Sequence, residues 1–150
     1  MVFRRLVLGD PPAPRNQLVG RFVLLVVVVW VVTELLGQLL PGSSLEALFA
    51  SIIVPVVFFY LPGIVAAVGG YLEYGALACL ALGLVPGIFI GSVVALEIML
   101  GIADSGDASV VGIVLAFTST GVFFALGGFL VGIGVRYFRY GWPDVSDEHP

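Results

Sequence analysis

The sequence predicts an all-α membrane protein in which four transmembrane helices form one bundle, with the N- and C-termini in the cytoplasm. The first observation is composition: 60% of the 150 residues are hydrophobic and 11% are charged, which lies outside the range of soluble domains. The second is a set of long apolar runs at 19–40, 45–68, 75–100 and 109–138. Each run reaches the ~20 residues that a helix needs to cross ~30 Å of hydrocarbon. The third is the placement of the arginines.

The arginines predict the orientation of the chain. They are its only cationic side chains apart from one histidine, and they stand towards its two ends: Arg4, Arg5, Arg15, Arg21, Arg136 and Arg139. Basic residues are enriched on the cytoplasmic side of membranes. Both ends are therefore predicted to be cytoplasmic, and the number of spans to be even. A three-span alternative, with a re-entrant second segment suggested by Pro55 and Pro62, stays open at this stage.

One membrane domain is predicted to account for most of the chain. We divide it into a cytoplasmic N-terminal segment at 1–18, a four-helix transmembrane domain at 19–138 and a cytoplasmic polar tail at 139–150. The parts outside the membrane are too short for a soluble catalytic or nucleic-acid-binding domain. The sequence therefore predicts the lipid bilayer as the protein's surroundings and no nucleic-acid partner.

The first run carries the first candidate site residues. Glu34 and Gln38 are about one helical turn apart and share a face. An ionisable side chain within a membrane is costly and by default suggests a function. Counted at ~1.5 Å per residue, Glu34 and Glu97 of the third run lie at similar depths from the outer ends of their runs. We expect the two carboxyl groups to meet and share a proton or hold a cation; the alternative is that both reach water and are only tolerated.

The second run has start and stop signals of its own. Ser43, followed three residues later by Glu46, is a capping-box pattern that begins a helix. Gly69 and Gly70 are expected to end that helix in a left-handed conformation. Prolines lack the N–H that an α-helix uses, so we expect a kink or local unwinding wherever one stands inside a run. The prolines concerned are Pro55, Pro62 and Pro86.

Small residues along the third and fourth runs predict where helices pack. In the third run they recur every four residues, with Gly83, Gly87 and Gly91 at the centre of the stripe, and Gly128 and Gly132 have the same spacing in the fourth. In lipid there is little hydrophobic drive between helices, so close association depends on small residues that let backbones approach. We expect the third and fourth spans to form the packing core. The alternative is a homo-oligomer interface or a sliding surface.

The fourth run also holds polar side chains near its middle. Thr118, Ser119 and Thr120 either bond to carbonyl groups of their own helix or line a polar path beside the glutamates. With the two glutamates and Gln38, they complete the predicted polar site.

The residues of catalytic and metal sites are missing from the sequence. The only histidine, His149, is in the polar tail, and the only cysteine, Cys79, is inside an apolar run. Metal sites built on imidazole or thiolate ligands and nucleophilic triads therefore lack parts. The sequence predicts no catalytic residue, no metal and no cofactor, and hence a protein that is not an enzyme.

Two functions are left open by these observations. The leading interpretation is an accessory or structural subunit of the cell membrane, in a homo-oligomer or a larger membrane complex. The alternative is a small proton- or cation-coupled transporter or channel that uses the glutamate pair.

A resemblance to a known family bears on the alternative. Residues 33–37, Thr-Glu-Leu-Leu-Gly, are similar to the small-Glu-apolar-apolar-Gly segment of small multidrug-resistance transporters. Those proteins are homodimeric, proton-coupled exporters of hydrophobic cations, so the resemblance implies proton-linked transport. This chain differs from that family in three ways. Its glutamate lies late in the first span, the chain is longer, and its arginines are strongly concentrated on one predicted side of the membrane, whereas the family's topologies are weakly biased.

Overall fold

The computed structural model describes residues 7–8, 12–101 and 109–141. These residues include four helices long and apolar enough to cross a membrane. Helix α1 is Pro12–Leu39, α2 is Ser44–Tyr71, α3 is Ala76–Met99 and α4 is Val110–Tyr140. The all-helical membrane class and the four spans predicted from composition and run length are thereby confirmed.

Helix α2 contains two stretches of wider turns. It is α-helical at Ser44–Leu48 and Leu61–Tyr71, and π-helical at Phe49–Ile53 and Val56–Tyr60. The π turns lie on both sides of Pro55, whose missing N–H cannot complete an ordinary turn. The unwinding predicted for α2 thus takes the form of π turns, and no re-entrant break is present in this helix.

The predicted capping box begins α2. Ser43 Oγ accepts a hydrogen bond from the backbone N–H of Glu46 at 3.1 Å. The Glu46 carboxylate reaches back and accepts from the N–H of Gly42 at 2.5 Å. The side chain therefore bonds one residue earlier than the usual partner of a capping box. The short turn between α1 and α2 is closed by these two bonds.

The predicted end of α2 is wrong. Gly69 and Gly70 lie inside the helix, which continues to Tyr71. The left-handed residue is Glu73, with φ of 59°. Gly70 is instead needed for close packing, because a Cβ there would lie 2.6 Å from the carbonyl oxygen of Phe129 in α4.

Helix α4 packs along both α2 and α3. A Cβ on Gly63 of α2 would lie 2.9 Å from the carbonyl oxygen of Phe124, and one on Gly83 of α3 would lie 2.6 Å from that of Gly121. Real Cβ atoms are not found so close to a backbone oxygen. At these points the helices are in contact through their backbones.

Helix α1 is held by apolar and aromatic contacts with α2 and α3. Its buried residues are Phe22, Val26 and Val29. The Trp30 ring packs edge-on to Phe89 of α3, with centroids 6.0 Å apart, and lies 6.4 Å from the centroid of Phe58 in α2. These three rings join the three helices at mid-depth.

The described charged residues separate to the two ends of the molecule. We call the end with Glu34, Glu46 and Glu97 the glutamate end. The opposite end is called the arginine end. It holds all three arginines whose side chains the structure describes, Arg21, Arg136 and Arg139.

Candidate functional site

The register between α1 and α3 decides which polar residues of the two helices share a level. The two helices run in the same direction because α2 returns between them. Trp30 contacts Phe89, and Val19 and Ala78 line one depression between the helices. The first pair lies at mid-depth and the second at the arginine end, and neither a ring contact nor a hydrogen bond among the described residues joins Glu34 or Gln38 to Glu97.

Glu34 and Gln38 lie on the exposed side of α1. Glu34 is four residues before Gln38, so it is about 6 Å further into the span. Neither side chain forms a hydrogen bond or ion pair with another described residue. The neighbouring Thr33 hydroxyl is directed back to its own helix and donates to the carbonyl of Val29 at 2.8 Å.

Glu97 is half-buried near the end of α3. The depths of Glu34 and Glu97 relative to one another stay a prediction. No hydrogen bond joins the two glutamates within the described part of the chain. Their coupling stays a prediction.

Glu46 belongs to the same end but has a structural role in the α1–α2 turn. Besides accepting from Gly42, its carboxylate approaches α1: a Cβ on Gly37 would lie 3.7 Å from Glu46 Oε1. The glutamate end thus has three carboxyl groups, and every arginine side chain that the structure describes is at the opposite end. Its electrostatic potential is negative wherever these groups are ionised.

The hydroxyl residues of α4 are apart from the glutamates. Ser119 and Thr120 donate to the carbonyl of Ala116 at 3.1 and 2.9 Å, within their own helix. The Thr118 hydroxyl oxygen is buried against Gly87 of α3 and has no hydrogen-bond partner among the described residues. Gly87 is ten residues before Glu97 in α3, or about 15 Å along the axis. The structure does not bring these side chains into one site.

The predicted packing glycines divide between two helix contacts. Gly83, Gly87 and Gly91 face α4, where a Cβ on Gly91 would overlap the Val114 side chain. Gly128 and Gly132 of α4 face α2 instead: a Cβ on Gly132 would lie 2.9 Å from the backbone nitrogen of Tyr71. The two glycine sets therefore place α4 against different neighbours.

A polar cluster at the arginine end was not found by the sequence analysis. Arg136 of α4 forms an ion pair with Glu73 at 2.8 Å and donates to the carbonyl of Tyr71 at 2.9 Å. The Tyr71 and Tyr140 hydroxyl oxygens are 3.3 Å apart. The sequence did contain a signal for this ion pair: Glu73 and Arg136 carry opposite charges, and both stand at the boundary predicted to be cytoplasmic.

Across residues 7–8, 12–101 and 109–141, no polar or charged residue is fully buried and no three candidate ligands cluster. No known protein family matches the chain, and no curated protein or solved structure is similar to it. Any function proposed for the chain therefore rests on the geometry of its described residues.

Proposed function

We propose that the protein is a non-catalytic accessory or structural subunit of a larger assembly in the cell membrane. In this proposal the four helices form one bundle and both termini are cytoplasmic. The observation that carries it is the apolar interior: no described polar or charged residue is buried as a whole, and the buried Thr118 hydroxyl lies against Gly87, about 15 Å along α3 from Glu97. Transporters and channels place polar groups along a path through their helices.

The glycine contacts support the same proposal. Where α4 meets α2 and α3, backbones touch, and a Cβ on Gly83 or Gly63 would meet a backbone oxygen. Packed cores of this kind do not deform continuously. A rigid unit of this kind suits the positioning of another membrane protein.

Photocrosslinking in native membranes tests the proposal. A benzoylphenylalanine in place of Leu24, which is 62% exposed on α1, is expected to capture another membrane protein. The same group in place of Phe123, 74% exposed on α4, is the comparison on another surface. Adducts with lipid only, from both positions, together with ion flux through liposomes containing the pure protein, would contradict a subunit role.

A proton- or cation-coupled transporter is the second candidate, favoured by the polar groups of α1 and α3 at the glutamate end. Glu34 and Gln38 share a face of α1, and Glu97 stands near the same end of α3; in this second proposal the three form one series of polar groups entering the span. Flux through liposomes would then fall in Glu34→Gln and Glu97→Gln variants and persist in Glu46→Gln.

A further inference from the structure

The exposed side of α1 has the spacing of a coiled-coil seam. Leu24, Val28, Val31 and Leu35 are 62, 48, 48 and 49% exposed, and Gln38 continues the row. The steps between them alternate four and three residues, the period at which one helix packs along another. We call this row the α1 seam.

Glu34 flanks the α1 seam. The row alternates between heptad positions d and a, with Leu35 at position a. Glu34 immediately precedes Leu35 and therefore occupies position g. Charged residues at g pair across the interface with an e position of the partner helix and set partner choice. The Glu34 carboxyl group is exposed, and no described residue bonds to it.

A second copy of the chain does not provide the missing charge. In a parallel pair, g faces the e position five residues further along the other helix. For Glu34 that residue is Leu39, which is apolar. The arginines at the ends of the sequence, and His149 in the tail, are far from Glu34 along the chain. An ionised Glu34 would stay unpaired in such a dimer.

We propose that the α1 seam binds a transmembrane helix of a different protein, and that this helix carries an arginine or lysine at the level of Glu34. The inference rests on the proposed subunit function and names the chemistry of the partner. Charge complementarity within the hydrocarbon region supplies the specificity, because an unpaired charge there is costly. The apolar row supplies the contact surface.

Photocrosslinking from the centre of the seam tests this. A benzoylphenylalanine replaces Val31 in native membranes, and the captured protein is identified by mass spectrometry. Glu34→Gln is expected to reduce the adduct at least about tenfold, since removing one member of a desolvated charge pair weakens binding strongly. Ser92→Ala, on the exposed side of α3 and bonded only to the Ile88 carbonyl of its own helix, is the control and should leave the adduct unchanged.

Charge reversal gives the second measurement. Glu34→Arg should abolish the adduct, and exchange of the partner's basic residue for glutamate should restore it. Equal adduct in Glu34→Gln, an adduct of two copies of this chain, or a partner helix with no basic residue at that level would each overturn the inference. The first and third of these leave the subunit proposal standing. Capture of lipid alone from position 31 overturns this inference, and the subunit proposal is contradicted only if positions 24 and 123 also capture lipid alone and the pure protein supports ion flux. Unchanged gel-filtration profiles of the purified variants show that they are folded.

Discussion

Glycine has two different roles in this molecule, depending on what lies beyond its α-carbon. Gly87 faces α4, and a Cβ there would lie 2.6 Å from the backbone nitrogen of Thr118. Gly127 stands on the exposed side of α4, and nothing lies within 4 Å of its Cβ position. Both are helical, but Gly87 belongs to the four-residue stripe of small residues, whereas Gly127 has Phe123 and Val131 four residues away. Here the spacing agrees with the contacts.

Replacing these two glycines by leucine separates the roles. Gly87→Leu should destabilise the protein by about 1–3 kcal/mol, the usual cost of overpacking. The Thr118 hydroxyl and the Thr118 backbone nitrogen occupy the space, and the backbone cannot move aside. The measurement is unfolding in mixed micelles with increasing denaturing detergent. Gly127→Leu is the matched control and should be close to neutral. Equal stability of the two variants would show that α3 and α4 do not pack in this way.

Arg136 is the residue that ties the α2–α3 turn to α4. Arg136→Gln should lower stability by about 1 kcal/mol, since a partly exposed charged bond contributes modestly. Hydrogen exchange should become faster at Leu72 and Glu73. Arg139→Gln is the comparison. Its guanidinium carbon lies 5.5 Å from the centroid of the Tyr140 ring and it bonds to the Tyr71 side chain, whereas Arg136 bonds to the Tyr71 carbonyl and the Glu73 carboxylate. Faster exchange in both variants alike would contradict a specific tie by Arg136.

At the scale of elements, run length was sufficient to predict the helices, and spacing was insufficient to predict their neighbours. A span needs ~20 apolar residues, and the runs provide them. Gly128 and Gly132, however, contact α2 rather than α3. Which neighbour a glycine of α4 contacts depends on how α4 lies across the two helices, and the spacing does not contain that information.

The aromatic contacts of α1 offer a prediction about that element. Trp30→Ala removes the ring contacts with Phe58 and Phe89, worth about 0.5–1.5 kcal/mol each, and should loosen α1 without unfolding the other three helices. Hydrogen exchange in lipid nanodiscs should then accelerate in α1 and stay slow in α4. Trp30→Phe keeps an aromatic ring and should retain most of the protection. Uniform acceleration in every helix would mean that α1 is not a separable unit.

At the scale of the whole molecule, the separation of charges predicts one orientation. In a background with Cys79→Ser, cysteines at Gly42 and Ser105 should react with an impermeant reagent only from outside. Cysteines at Arg15 and Asp144 should react only after the inner face is opened, because arginines are enriched on the cytoplasmic side. Labelling of Asp144→Cys from outside would contradict the proposed orientation. Positions 105 and 144 lie outside the described residues, so this rests on the sequence.

A ribosome releases α4 after α2 and α3, yet α4 supplies the backbone surface on which both of them pack. Until Val110–Tyr140 enters the bilayer, Gly63 and Gly83 are in contact with acyl chains instead of carbonyl groups. The nascent protein therefore passes through an open intermediate, whose early spans are inserted but unpaired with their final neighbour. The final packing of α2 and α3 is therefore expected to follow the insertion of α4.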